Sequence, residues 1–158
     1  MKRKYGTSGD DTDLHGGDGR NFIFGLGGDD VIHGLGNDDK IFGGTGDDEI
    51  HGDSGADDLR GNAGKDTLIG GAGDDSLTGG GKGDVFLFTN SHGNDEVQDF
   101  GEGADKIALK VDGLTFEDLK IVDRDGDAVI TWHGGKGEIV LEDVDAQSLH
   151  SKDFIFDS

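Results

Sequence analysis

The sequence predicts an all-β fold: a parallel β-roll of nine-residue repeats, closed by a C-terminal β-strand cap. Three observations predict it. A glycine recurs at every ninth residue, an aspartate follows five residues later, and one large apolar residue comes two positions after that. Residues 16–87 divide into eight such units with no insertion or deletion. Position one is Gly16, Gly25, Gly34, Gly43, Gly52, Gly61, Gly70 and Gly79. Position six is Asn21, then Asp30, Asp39, Asp48, Asp57, Asp66, Asp75 and Asp84. Position eight is Ile23, Ile32, Ile41, Ile50, Leu59, Leu68, Leu77 and Phe86. Self-similarity at a fixed short period is the mark of stacked, repetitive architecture.

Each unit has two physical parts. Its first six residues mix Gly, Asn and Asp, which tolerate positive φ and so make a tight turn. Position four is glycine except at Asn37 and Lys82. The last three residues set one large apolar side chain between two variable ones, the period-two signature of a short strand facing inward at position eight. A strand that short is unstable alone, so successive units must stack. Two units per turn of a flattened coil put residue i over residue i+18 at the ~4.8 Å spacing of neighbouring strands. The position-eight side chains then meet between two sheets.

Composition narrows the chemistry. Of 158 residues, 31% are hydrophobic and 32 are glycine, too little apolar mass for an ordinary core and too much glycine for long helices. A formal net charge of −21 argues against nucleic acid or an anionic membrane as partners. With no cysteine there is neither a disulfide framework nor a thiolate metal site. No run approaches the ~18 apolar residues of a membrane span, so no membrane insertion is expected. The basic start, Met1 to Lys4, is followed by no apolar segment of a cleaved leader, so any export is expected to use another route.

Stacking brings the position-six carboxylates ~4.8 Å apart along each edge, where like charges repel. Units with Asp29, Asp38, Asp47 and Asp74 at position five add to the excess. A hard cation resolves this, and calcium accepts six to eight carboxylate and carbonyl oxygens of the kind that glycine-rich turns expose. Transition metals suit the turns less, given the lack of cysteine and the few histidines near them. Magnesium tends to keep its waters.

The units resemble the RTX, or hemolysin-type, calcium-binding repeat G-G-x-G-x-D-x-U-x. Gly43 to His51 and Gly70 to Thr78 match every fixed position. The resemblance implies that each ion lies between turns one coil apart. The lower turn would give the carbonyls of positions two and four and its position-six carboxylate. The upper turn would give the carbonyls of positions one and three and its own position six. One site would join Gly44, Gly46 and Asp48 to Gly61, Ala63 and Asp66; another would join Leu35, Asn37 and Asp39 to Gly52, Ser54 and Asp57. Turn by turn, the implied ligands are Gly17, Gly19 and Asn21; Leu26, Gly28 and Asp30; Gly34, Leu35, Gly36, Asn37 and Asp39; Gly43, Gly44, Thr45, Gly46 and Asp48; Gly52, Asp53, Ser54, Gly55 and Asp57. They continue with Gly61, Asn62, Ala63, Gly64 and Asp66; Gly70, Gly71, Ala72, Gly73 and Asp75; Gly79, Gly81 and Asp84; and Asp95. Eight units make six such pairs, so the implied cofactor is calcium, about six ions or more. Partial sites are expected at the imperfect Gly6–His15 unit and at Gly93-Asn94-Asp95. Asn21 and Lys82 depart from the pattern near the ends. Asp57 falls in two pairs, whereas Asp84 falls in one.

Three regions are expected: residues 1–15 as an imperfect N-terminal repeat, 16–95 as the roll and 96–158 as capping strands. Asp84 to Phe88, Asp95 to Phe100 and Gly103 to Ile107 resemble the end of the roll in serralysin-type proteases and alginate epimerase R-modules. Beyond it, Lys120–Asp123, Asp127–Trp132 and Glu138–Glu142 alternate as strands, with Asp125-Gly126 as a hairpin turn. Asp153-Phe154-Ile155-Phe156 resembles the C-terminal signal of type I secretion substrates, although Asp157 and Ser158 follow it here.

Other motifs have plainer readings. Gly52-Asp53-Ser54-Gly55 matches the tetrapeptide around the nucleophile of chymotrypsin-like proteases, yet here it is four turn residues without a partner triad. The His-Glu-x-x-His pair of zinc proteases is absent. Asp123 to Asp127 resembles part of an EF-hand loop but lacks the downstream Glu, so a hairpin turn is the expectation. His15, His33 and His51 share position nine and should stack on one outer face, as a solvated ladder or as a zinc, nickel or pH-sensitive patch. Phe22, Phe24 and Phe42 should cluster on the opposite face, covered by the tail or by a neighbouring domain or copy.

The expected function is that of a secreted, non-catalytic calcium-binding module that folds on meeting calcium. Two alternatives are an accessory module of an extracellular protease, lipase or alginate epimerase, and a structural adhesin or matrix protein. Under the accessory reading the partners are an upstream catalytic domain or a polysaccharide. Type I secretion machinery is the expected export partner.

Overall fold

The computed structural model describes residues 2–101 and 103–157. It is an all-β parallel solenoid of about six turns, a β-roll, with antiparallel strands near the C-terminus. Strands alternate between two sheets as the chain coils. The first sheet holds β1 (Lys2–Tyr5), β3 (Asn21–Gly27), β5 (Lys40–Thr45), β7 (Asp58–Ala63), β9 (Ser76–Gly81) and β11 (Gly93–Val97) in that order. The second holds β2 (Leu14–His15), β4 (Val31–His33), β6 (Glu49–Ser54), β8 (Thr67–Ala72), β10 (Val85–Phe88) and β12 (Lys106–Leu109).

Register follows the repeat. Ile23 pairs with Ile41, Ile41 with Leu59 and Leu59 with Leu77; opposite, Ile32 pairs with Ile50 and Ile50 with Leu68. Each of these side chains is fully buried. After the last unit the chain keeps the columns but lengthens the loops. Val97 pairs with Leu77 and Ile107 with Phe86, so both columns outlast the strict nine-residue period. The core is thus two rows of single side chains, one per unit.

The strands are longer than the three residues that the pattern predicts. β5 through β9 run from position seven through position three of the next unit, and Gly44 pairs with Asn62 as Thr45 does with Ala63. The turn proper is therefore positions four to six. The first three residues of a unit are ladder rather than turn, because a left-handed residue at position two bends the strand without ending its pairing. Leu26, Leu35, Asp53 and Asn62 all hold φ between 72° and 83° there.

The tail caps the roll by extending both sheets. β15 (Gly137–Leu141) lies parallel on β11, followed by antiparallel β14 (Asp127–Trp132) and β13 (Leu119–Arg124). Asp125 (φ 60°) and Gly126 (φ 106°) form the hairpin turn, as their left-handed tolerance favours. Opposite, β16 (Phe154–Phe156) lies parallel on β12 and buries Phe154. Leu141 and Ile139 close the core from above.

The aromatic face is not covered by the tail. Phe24 stacks on Phe42 at 5.0 Å and on Tyr5 at 5.2 Å, and the Arg60 guanidinium lies 5.7 Å over the Phe42 ring. These rings lie on β1, β3 and β5, whereas the tail docks on β11 and β12 at the other end. Phe22 stands in register with Lys40 and takes no part in the stack. Rings and guanidinium cover one another across the strands, along the axis of the roll, instead.

Candidate metal centre

The turns owe their shape to alternating backbone hand. Positive φ recurs at position two (Leu26, Leu35, Gly44, Asp53, Asn62, Gly71, Gly80) and at position four (Gly19, Gly28, Asn37, Gly46, Gly55, Gly73, Lys82). Each alternation flips a peptide plane, so successive carbonyls point to opposite sides. Position-two oxygens point to the turn above: Leu26 O faces Gly44 and Asn62 O faces Gly80. Position-four oxygens do the same, as Gly28 O faces Gly46 and Asn37 O faces Gly55. Position-one oxygens point down, Gly43 O onto Gly25 and Gly61 O onto Gly43. Position-three oxygens also face downward, and several already accept the position-four amide beneath, such as Thr45 O from Gly28 N at 2.9 Å. Two pairs of carbonyls thus face one gap between each turn and the turn above.

Position six lines the same gap. The Oδ1 of each aspartate accepts the position-six amide of the turn below. On one edge Asn21 N, Asp39 N, Asp57 N and Asp75 N donate to Asp39, Asp57, Asp75 and Asp95 at 2.6, 2.7, 2.9 and 3.0 Å. On the other, Asp11 N, Asp30 N, Asp48 N, Asp66 N and Asp84 N donate to Asp30, Asp48, Asp66, Asp84 and Asp105 at 2.8–2.9 Å. The Oδ2 atoms of Asp30, Asp39, Asp48, Asp57, Asp66, Asp75 and Asp84 are buried with no hydrogen-bond partner. Native proteins rarely leave such atoms unsatisfied. Each lies against the position-one glycine of its own unit: a Cβ on Gly43 would run into Asp48 Oδ2 and, at 2.9 Å, Gly61 O. The strict glycine at position one is explained by that contact.

Burial controls the electrostatics. It pushes the Asp57, Asp66 and Asp75 carboxyls up to about 7 and Asp48 up to about 6. Neighbouring ladder carboxylates push the same way, and the amide donors offset only part of it. Asp30, Asp39 and Asp84 shift upward from the same leading cause. A row of buried carboxylates with raised affinity for a proton also has raised affinity for a cation.

The ends of the ladder are built differently. Asn21 Nδ2 donates to Gly17 O at 3.0 Å, Gly19 O at 2.5 Å and Asp39 Oδ1 at 3.1 Å. It thereby engages the position-two and position-four carbonyls of its own unit. At the top, buried His92 bonds Asp95 Oδ2 at 2.9 Å, and Ile139 stands above Asp95 in register. Opposite, Asp105 Oδ2 accepts Gly101 N at 2.7 Å.

Three residues of this architecture lie outside the eight strict units. Asp11 lies below Asp30, offset by 19 residues, and Asp105 lies above Asp84, offset by 21, so Asp84 has ladder neighbours on both sides. Asp99 accepts the Gly79 and Gly80 amides at 2.9 and 2.7 Å. Loop lengths that break the nine-residue period hid Asp99 and Asp105, whereas Asp11 stands five residues after Gly6 in the imperfect first unit. The position-five aspartates do not crowd the gap as the sequence suggests. They sit at the rim and accept amides from the turn above, Asp47 N and Lys65 N reaching Asp29 and Asp47 at 2.8 Å. Basic side chains pair with them, Arg20 at position five with Asp38 and Lys82 at position four with Asp47.

Residues 5–39, 15–50 and 51–86 match the model of the RTX calcium-binding nonapeptide repeat, in four copies. The chain belongs to the RTX calcium-binding repeat family. Calcium is the ion of that family, and the oxygen-only donor set of these turns suits it. Among solved structures, the RTX chain is similar to the AlgE6R3 subunit from the Azotobacter vinelandii mannuronan C5-epimerase. That match has 31% identity and a TM-score of 0.63, covering 77% of this chain and 80% of that one. The AlgE6R2 subunit of the same enzyme shares 28% identity with a TM-score of 0.54 over 70% of this chain and 88% of that one. The extracellular lipase LipA from Serratia marcescens aligns over 97% of this chain and 40% of its own at 18% identity, with a TM-score of 0.46. No curated protein sequence matches.

The protease-like tetrapeptide of this RTX chain sits at the end of β6, where Ser54 Oγ donates to Leu35 O at 3.1 Å. Nearby, His33 stacks on His51 at 4.3 Å between ring centroids, as the shared position nine predicts. His15 is in register with His33, but its Nδ1 turns to Gly16 O at 2.9 Å.

Proposed function

We propose that this RTX chain is a secreted calcium-binding module whose roll folds as calcium fills the gaps between turns. The row of buried, unpartnered Oδ2 atoms carries this reading. Each ion would take the position-two and position-four carbonyls of a lower turn, the position-one and position-three carbonyls of the next, and both position-six carboxylates. The carbonyl directions described above support that assignment for Gly44, Gly46, Asp48, Gly61, Ala63 and Asp66, and for the equivalent residues of the other pairs. Ligands form only once the coils stack, so binding free energy acts as folding free energy.

Within this reading, residues 1–15 begin the stack, 16–95 form the ion-binding roll and 96–158 cap it. The terminal Phe154-Ile155-Phe156 segment would serve a type I export route, with calcium outside the cell triggering the fold after passage. The chain performs no catalysis of its own. A second reading, that it is an accessory module of an extracellular enzyme acting on a polysaccharide, is favoured by the similarity to two subunits of a mannuronan C5-epimerase.

Equilibrium calcium binding to the metal-stripped chain tests the assignment. At least the six ions given by the eight units' pairs should bind, and Asp57→Ala should lose the two that it shares. An unchanged ion count in Asp57→Ala would refute the ligand assignment.

A further inference from the structure

Position nine of β4 and β6 places His33 directly beside His51 on adjacent parallel strands. Their rings lie nearly parallel, 18° apart. Asp53, in the left-handed conformation at φ 72°, brings its carboxylate back over this face, where Oδ2 lies 3.3 Å from His33 Nδ1 and accepts Leu35 N at 3.1 Å. One donor atom from each of His33, His51 and Asp53 falls within 4.8 Å of the others. All three side chains remain partly open to solvent, at 36%, 20% and 33%.

Their surroundings favour a cation. From Val31 to Leu87, the outward positions seven and nine of this sheet hold no lysine or arginine, while Glu49 bonds His51 Nε2 at 2.7 Å. The opposite sheet differs, since Lys40 and Arg60 there already neutralise Asp58. Two imidazoles and one carboxylate form a donor set for zinc-like ions, with water as fourth ligand, and not for calcium. Tetrahedral ligands around zinc stand about 3.3 Å apart. Rotation of the partly exposed side chains would have to close that difference.

We propose that His33, His51 and Asp53 form a surface site for a divalent transition ion of the zinc class. Its donors are side chains on the outer sheet face, not the carbonyls and position-six carboxylates assigned to calcium, and it needs the coils stacked. Since His33 and His51 belong to consecutive coils, a bound ion would clip one coil to the next.

The test is zinc titration of the full chain in saturating calcium, followed by calorimetry and by the histidine ring resonances. One zinc should bind per chain and shift the ring signals of His33 and His51. His33→Ala and His51→Ala should each weaken it at least tenfold while keeping the calcium-loaded strand spectrum, and His15→Ala should weaken it less than threefold. No saturable zinc binding, or binding undiminished in both His33→Ala and His51→Ala, would overturn the site. Ring signals that stay fixed as zinc is added to the unmodified chain would overturn it without any variant.

Discussion

Each inner position-six aspartate holds the amide below with Oδ1 and leaves Oδ2 buried without a donor. Carboxyls raised to about 7 at Asp57, Asp66 and Asp75 fix the sign of the pH dependence. An acid whose folded pKa lies above its unfolded value favours the fold while protonated. That support is complete below the unfolded value of 3.8 and is lost as pH rises through about 7. In chelator, therefore, strand content should rise as pH is lowered from 8 to 5. With calcium present, protons compete for the same oxygens, so the calcium midpoint should climb as pH drops below about 7. Circular dichroism titrations across that range would check both, and a midpoint flat between pH 5 and 8 would contradict the ladder's role. Asn21 gives a second residue-scale test. Its amide already satisfies Gly17 O and Gly19 O without an ion. Asn21→Asp removes that donor and adds a carboxylate, so the site it shares with Asp39 should bind calcium more tightly, measured by equilibrium dialysis.

At the scale of one turn, glycines divide sharply. Gly46 holds φ at 122°, and its Cβ would strike Gly28 O, whereas nothing lies within 4 Å of a Cβ on Gly81. Gly46→Ala should therefore cost at least about 2 kcal/mol, and Gly81→Ala should stay within about 0.5 kcal/mol. Denaturant unfolding at fixed calcium separates them. Position in the stack should matter as well. Asp57 has ladder neighbours on both sides, whereas Asp105 ends its column with Oδ2 already bound to Gly101 N. Asp57→Ala should raise the calcium midpoint and lower cooperativity more than Asp105→Ala, because an interior break interrupts propagation. Equal shifts would mean independent carboxylates. The turn was only half legible in the sequence. Position eight and position six repeat at every unit because every coil needs a core residue and a ladder carboxylate, and 18-residue spacing stacks them. The hand of position two was hidden, since Leu26 and Leu35 carry no mark of positive φ, and with it the length of the strands. Asp105 was invisible as a ladder member because its loop breaks the period.

For the whole molecule, two rows of single buried side chains make a core that is thin for the backbone it must order. The tail continues both rows and covers the strand edges of β11 and β12. Removing residues 110–158 would expose those edges together with Val97 and Ile107, so the truncated chain should need more calcium to fold or should aggregate. Sedimentation alongside a calcium titration would show which, and an unchanged midpoint in a soluble monomer would deny the tail any role in folding. The alternating strands of β13 to β15 were readable from their two-residue period, but their attachment to β11 depends on long-range pairing that no local pattern encodes. Under the proposed function, cations between the turns supply the free energy that this core lacks. Far-ultraviolet circular dichroism of the metal-stripped chain at pH 7.5, before and after calcium, tests it most directly. Coil should convert to strand on adding millimolar calcium but not magnesium, and a full strand spectrum in excess chelator would contradict the claim.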